Sequence, residues 1–202
     1  MGRFSALTII AGLLGVTSAA PTKVDLAPRC GTTYYPTILQ QLVESDPDTV
    51  YPNNDNFHVQ RKVVNGALSD RVYQFVGFEG IPAGSYGCQL AITFPQSYPV
   101  TTEPADYNVQ MNVTTALNGL SSEVTYPNAF TWNNWPALGT GLFGTVTAAA
   151  GSTAVINSEA CPPGGGNLAF LFEVSRWVEI TSSVDFTQSN SPLAGVYLTA
   201  NC

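Results

Sequence analysis

His58 is the single histidine of the chain, so a Ser-His-Asp relay or an imidazole general base would have to run through it. No G-x-S-x-G stretch accompanies it. It stands between Phe57 and Val59 in an alternating segment, where it reads as an exposed strand histidine. Acid–base work by paired carboxylates is the second possibility, and glycoside hydrolysis needs two such groups facing each other across a cleft. Glu159, Glu173, Glu179 and Asp185 are the densest acidic group of the C-terminal half. Glu173 is the most informative of them, because it alternates with Phe172 and Val174 in an apolar run and is costly to bury unpaired. Arg176 lies three positions on, the opposite face of a continuing strand, so the spacing predicts a partner from another strand. Metal chemistry has less support. The cysteines show no CxxC spacing for zinc. The loop from Ser45 to Asn56 carries Asp46, Asp48 and Asp55, but counting from Asp46 puts Tyr51 where a calcium loop needs its glycine and Phe57 where it needs its glutamate. These acids read as solvated turn residues. No cofactor, no metal and no catalytic residue is expected.

A binding surface is better represented. The segment from Tyr126 to Trp135, YPNAFTWNNW, gathers Tyr126, Phe130, Trp132 and Trp135 without periodicity, between Asn128, Asn133 and Asn134. Rings in such a row can stack on the flat faces of sugars while the amides bond hydroxyls, or they can cap a core; the sequence allows both.

Residues 1–19 have the layout of a secretory signal peptide: Arg3, then an apolar run from Leu7 to Val16, then the small residues Thr17, Ser18 and Ala19. Residues 20–29 read as a flexible lead-in, and residues 30–202 as one domain, of a size to bury a full core. Cys30, Cys88, Cys161 and Cys202 would then enter an oxidising compartment and form two disulfides. Three pairings are open, and the one favoured here joins Cys30 to Cys202 and Cys88 to Cys161. Asn112, in Asn112-Val113-Thr114, is the one N-glycosylation sequon and is expected on the polar face of its strand. With seven basic against fourteen acidic residues and a formal net charge of −7, nucleic acid and anionic membranes are poor partners. No apolar stretch is long enough to span a bilayer.

What must hold these residues in place is a set of strands. Tyr86, Cys88, Leu90, Ile92 and Phe94 alternate with small or polar residues between Gly84 and Pro95, the pattern of a central strand with one buried face. Phe57 to Val63 alternates into Asn65-Gly66, the strongest short hairpin signal, and Arg71 to Phe78 returns. Tyr107 to Val113, Leu142 to Thr147, Ala154 to Asn157, Leu168 to Val174, Val184 to Phe186 and a last strand through Val196 and Leu198 complete about nine strands. Ile38, Leu39, Leu42 and Val43 recur at helical spacing after Pro36, which predicts one short helix beginning at Thr37. The expected fold is all-β, a two-sheet antiparallel sandwich of jelly-roll type with at most one short helix.

Several of these stretches resemble one family. Cys30 with Tyr34, Tyr35 and Pro36, GIPAGSYGCQL from Gly80 to Leu90, LFGTV from Leu142 to Val146, INSEACP from Ile156 to Pro162, LAFLFEV from Leu168 to Val174, SVDF from Ser183 to Phe186 and the terminal Cys202 resemble the fungal ubiquitin-three-binding protein But-two C-terminal domain family. The family's founder is an intracellular yeast protein that binds the catalytic subunit of the activating enzyme for a ubiquitin-like modifier, and many members are similar to small secreted fungal proteins. The resemblance implies a binding module and no catalytic residues. The expectation is therefore a secreted, monomeric, non-catalytic sandwich. Its partner is a cell-wall or other extracellular polysaccharide held by the aromatic segment, or an extracellular protein; a cryptic glycoside hydrolase is the remaining reading.

Overall fold

The computed structural model describes residues 31–116, 124–135, 139 and 141–202. The expected signal peptide, the lead-in and Cys30 lie outside the described residues. Thirteen strands are present among those described. They are β1 (Thr32–Tyr34), β2 (Ile38–Val43), β3 (Asn56–Val64), β4 (Ala67–Ile81), β5 (Cys88–Thr93), β6 (Thr101–Glu103), β7 (Gln110–Ala116), β8 (Gly144–Thr147), β9 (Thr153–Glu159), β10 (Gly166–Val174), β11 (Ser182–Thr187), β12 (Ser189–Asn190) and β13 (Leu193–Ala200). The described residues contain no helix.

The strands form two antiparallel sheets. The smaller has the order β1-β13-β5-β9, with β12 folded onto β13. The larger follows the path β6-β11-β3-β4-β10-β7-β8, with β2 also on β4. Between the sheets lies the main core, in which the alternating residues Leu90, Ile92, Phe94, Val109, Met111, Val113, Leu168, Phe170, Phe172, Val196 and Leu198 meet. Phe186 is at its centre, stacked on Phe57 at 4.3 Å between ring centroids and edge-on to Phe94 at 4.9 Å. An all-β sandwich is what the alternation implied.

β4 is the organising strand. Its residues 72–77 pair with β2 along one edge. The other edge is shared: β3 takes residues 67–72, and β10 takes residues 74–81. The sheet therefore forks near Val72, and the buried Gln74 fills the divergence, its Oε1 accepting from the His58 backbone N–H at 3.0 Å. The β3–β4 hairpin closes on Asn65 and Gly66, both at positive φ (52° and 79°), as a type I′ turn requires.

Three expectations are corrected. The predicted helix from Thr37 is strand β2: Ile38 and Leu42 pack on the outer face of the large sheet and Leu39 on the inner one, so a strand buried on both faces imitates helical spacing. Tyr86 does not join the buried row of β5; it is 62% exposed, because Gly87 at φ +57° turns the chain just before Cys88. A Cβ on Gly87 would meet the Cys202 backbone at 3.4 Å, so that glycine also admits the chain's end. Tyr107 is likewise outside its strand, in a turn with its N–H on the Pro104 carbonyl, and β7 starts only at Gln110. The strand count rose from nine by β2 and by β1, β6 and β12, which are two or three residues long and carry no readable period.

Cys88 and Cys161 are bonded, with Cα atoms 5.2 Å apart, and tie the start of β5 to the exit of β9. The other favoured pairing, Cys30 with Cys202, involves a residue outside those described. The Cys88–Cys161 link spans 73 positions. Replacing both cysteines by alanine is expected to lower stability by about 4 kcal/mol, read from urea unfolding; a loss below about 1 kcal/mol would show that the β5–β9 ladder holds without it.

Candidate functional site

The outer face of the large sheet carries two different surfaces. At one end it is apolar. Ile38, Leu42, Phe75, Ala116, Ala169 and Leu171 form a second cluster, and Val124, Phe130, Trp132 and Trp135 cover it. Gly77 makes room here, since a Cβ would stand 2.9 Å from Ile38 Cδ1. The covering segment is fastened by polar side chains. Asn167 Nδ2 donates to the Val124 carbonyl at 2.5 Å, and the Tyr126 N–H donates to Glu79 at 3.1 Å. Gln40 Nε2 donates to the carbonyls of Tyr51 (3.0 Å) and Phe130 (3.4 Å), and Asn133 Nδ2 donates to Asp48 at 2.9 Å. The row expected as a sugar platform is thus split. Phe130 packs edge-on against Phe75, Trp132 and Trp135 lie against Tyr73, and Tyr126 alone is well exposed, at 44%. Asp46 also serves its loop, accepting from Thr49 Oγ1 at 2.8 Å.

At the other end the same face is charged. Glu173 alternates with core residues Phe172 and Val174 and so points outward, yet only 8% of its side chain is exposed. Its partner is Arg176, whose Nε donates to it at 3.0 Å. The prediction that a partner must come from another strand fails, because β10 ends at Val174 and the chain turns. Ser175, fully buried, donates its N–H to the Gln110 carbonyl and its hydroxyl to Asn112 Oδ1 at 2.8 Å, and the Val178 N–H closes the turn on the Ser175 carbonyl. That turn returns Arg176 to the Glu173 side.

Arg71, on β4, is held by Glu44, which accepts from its Nε (3.0 Å), its guanidinium (2.6 Å) and its backbone N–H (2.9 Å). These bonds hold the Glu44 carboxyl below its ordinary value and raise Arg71. The Arg71 guanidinium sits 5.0 Å over the Trp132 ring, so one face of that ring is occupied. Burial first, then the nearby Glu173 carboxylate, pushes the Tyr73 hydroxyl up to about 12, keeping it a neutral donor. Arg61, on β3, donates to the Ser175 carbonyl at 3.3 Å, and its buried Nε meets no acceptor.

These groups line one open groove of about 510 Å³, bounded by Gln60, Arg61, Leu68, Arg71, Tyr73, Glu173, Val174 and Arg176. A second recess, of about 360 Å³, shares Glu173 and Arg176 and continues past Asn112, Thr114 and Leu142 to Trp177. All three arginines among the described residues line the first groove. Asn112 is on the outer face, as its alternation requires, and is 4% exposed and bonded to Ser175.

The other acids do not converge on this groove. Asp185 bonds His58 Nδ1 at 2.5 Å and also accepts from Ser183. His58 is therefore a half-buried, paired residue rather than a free strand histidine, and the serine is on the aspartate rather than on the imidazole, which is not the order of a relay. Glu179 is exposed. Glu159 belongs to the edge strand of the other sheet beside the disulfide, and burial alone pushes it up to about 7.

The groove itself was not legible as a site. Arg61, Arg71, Glu173 and Arg176 are spread over more than a hundred positions, and the only local signal was a glutamate in an apolar run. Fold and groove together define a disulfide-linked β-sandwich with an arginine-lined recess on one sheet face. The chain belongs to the family described as "Ubiquitin 3 binding protein But2 C-terminal domain", which matches it over residues 34–192. The match ends before β13. Among curated proteins, none matches the chain.

Two outcomes are expected. Trp132→Ala should destabilise the fold by about 2 kcal/mol in urea unfolding, since a half-buried indole and its Tyr73 contact are lost; unchanged stability would release the ring from the packing role. Glu159 is raised in the folded protein above its ordinary 4.5, so its neutral form stabilises fully below that value and the contribution disappears as pH rises through about 7. Glu44 is lowered and acts in reverse, losing its contribution as pH falls below its ordinary 4.5. The melting temperature should therefore decline between about pH 5 and 7.5, and Glu159→Gln should flatten that decline.

Proposed function

We propose that the chain is an exported, non-catalytic binding protein whose partner is another protein, seated in the arginine-lined groove. The observation that carries this reading is the gathering of Arg61, Arg71 and Arg176 with Tyr73 in one recess of a chain whose formal net charge is −7. Arginine and tyrosine are the residue types that dominate protein interfaces, and a few of them in a recess can supply most of the binding energy. The family's description names a protein ligand, ubiquitin 3, which supports a protein as the class of partner. The fastening of the aromatic segment, and the Arg71 guanidinium over Trp132, weigh against a stacking platform for sugars. Export draws support from the signal-peptide pattern and from the Cys88–Cys161 bridge, since such bridges persist in oxidising compartments.

The test compares the mature protein with Arg61→Ala/Arg176→Ala and with Trp132→Ala/Trp135→Ala, each immobilised and exposed to a mixture of extracellular proteins, and in parallel mixed with insoluble chitin, β-glucan and cellulose. Proteins retained by the wild type and lost with the arginine variant are the expected result. Binding to a polysaccharide that only the tryptophan variant abolishes would overturn the reading.

A further inference from the structure

We infer that the groove selects its partner by an acidic side chain set between apolar ones, and that Arg61 receives the carboxylate. The inference rests on the groove's being a protein-binding site and names what the partner presents there. Among the described residues each other basic side chain has its own acid: Lys62 has Asp70 at 3.1 Å, Arg71 has Glu44 at 2.6 Å, Arg176 has Glu173 at 3.0 Å and His58 has Asp185. Arg61 has none. Among the described residues its side chain has one bond, from Nη1 to the Ser175 carbonyl, which fixes the guanidinium against the turn after β10; its Nε is buried out of a ligand's reach. Its charge is therefore the one without an acid at the groove, and a carboxylate there would accept from its terminal Nη groups.

Arg176 supports the same ligand. Its side chain is 74% exposed, and it gives Glu173 only its Nε, so its terminal N–H groups face outward. Tyr73 also lines the groove, its neutral hydroxyl bonded to Glu173 and accepting from Arg71 Nη1 at 3.4 Å. The flanks are apolar: Leu68 is half-exposed beside Arg61, and Leu142 and Trp177 are half-exposed beyond Arg176. Cations in the middle with apolar side chains at both ends fit a short peptide segment of the pattern apolar-acidic-apolar. A uronic acid polymer offers the carboxylate without the apolar flanks.

The probe is a fluorescein-labelled, acetylated and amidated octapeptide with a Leu-Glu-Asp-Leu centre, compared with its Leu-Gln-Asn-Leu counterpart and with oligogalacturonate, by anisotropy against the mature protein. The acidic peptide should bind about tenfold or more tightly than the neutral one, the size of a charge-assisted bond pair, and the preference should fade with added salt. Arg61→Ala should abolish the preference, Arg61→Lys should restore part of it, and Glu173→Gln should tighten the acidic peptide by removing a like charge. The last change is a gain, so it does not arise from misfolding. Equal binding of the two peptides, no binding of either, or Arg61-dependent binding of oligogalacturonate alone would overturn the inference. If the immobilised protein still retains a partner through Arg61 and Arg176 while the peptides bind alike, the acidic specificity fails and the protein-binding reading stands; if neither is seen, both fail.

Discussion

A β-strand has two edges and two faces, and β4 uses all four. One edge takes β2, the other is divided between β3 and β10, the inner face meets the main core, and the outer face is covered at Phe75 and opens into the groove at Arg71 and Tyr73. Because antiparallel pairing alternates sides residue by residue, this fixes which side chains enter the inter-sheet core (Val76 and Phe78) and which lie outward (Tyr73 and Phe75). The fork is the consequence with the widest reach. It splays β3 and β10 apart, so that Arg61 from one and Glu173 from the other line the same groove as Arg71 and Tyr73 of β4 itself. Gln74 occupies the divergence and satisfies a backbone donor that the ladder can no longer reach.

Covering the outer face has divided it. Where it is apolar, the 124–135 segment lies on it, and the side chains of Asn167, Glu79, Gln40 and Asp48 hold that segment in place. Where Glu173 and Asn112 interrupt the apolar pattern, the turn after β10 covers them instead, Arg176 bonding Glu173 and Ser175 bonding Asn112, and a recess remains beside them. Arg71 stands at the boundary: its guanidinium is bonded to Glu44 and lies over Trp132, joining the packed half to the charged half.

Among the described residues Glu44 and Glu173 are each paired with an arginine, and the one imidazole is taken up by Asp185. Arg61 is, among the described residues, the basic side chain without an acid of its own. Membership of the But2 C-terminal domain family, with a protein ligand in its description, is in keeping with such a surface.

Much of the architecture follows from the sequence alone. Period-two alternation in β3, β5, β7 and β10 and the Asn65-Gly66 turn were legible because each depends on neighbours along the chain; an even set of thiols announced disulfides, but that Cys88 joins Cys161 was one of three open pairings. The aromatic segment was legible as a cluster, but not which way its rings faced. β2 was misread because burial on both faces erases the two-residue period; the face of Asn112 was legible, but alternation does not tell what is packed over that face. The Glu173–Arg176 pair needed the end of β10, which a hydrophobic pattern does not mark. The groove was decided only by tertiary structure, for its charges come from strands distant in sequence that meet at a fork, and no local periodicity records which edges of a strand its partners will share.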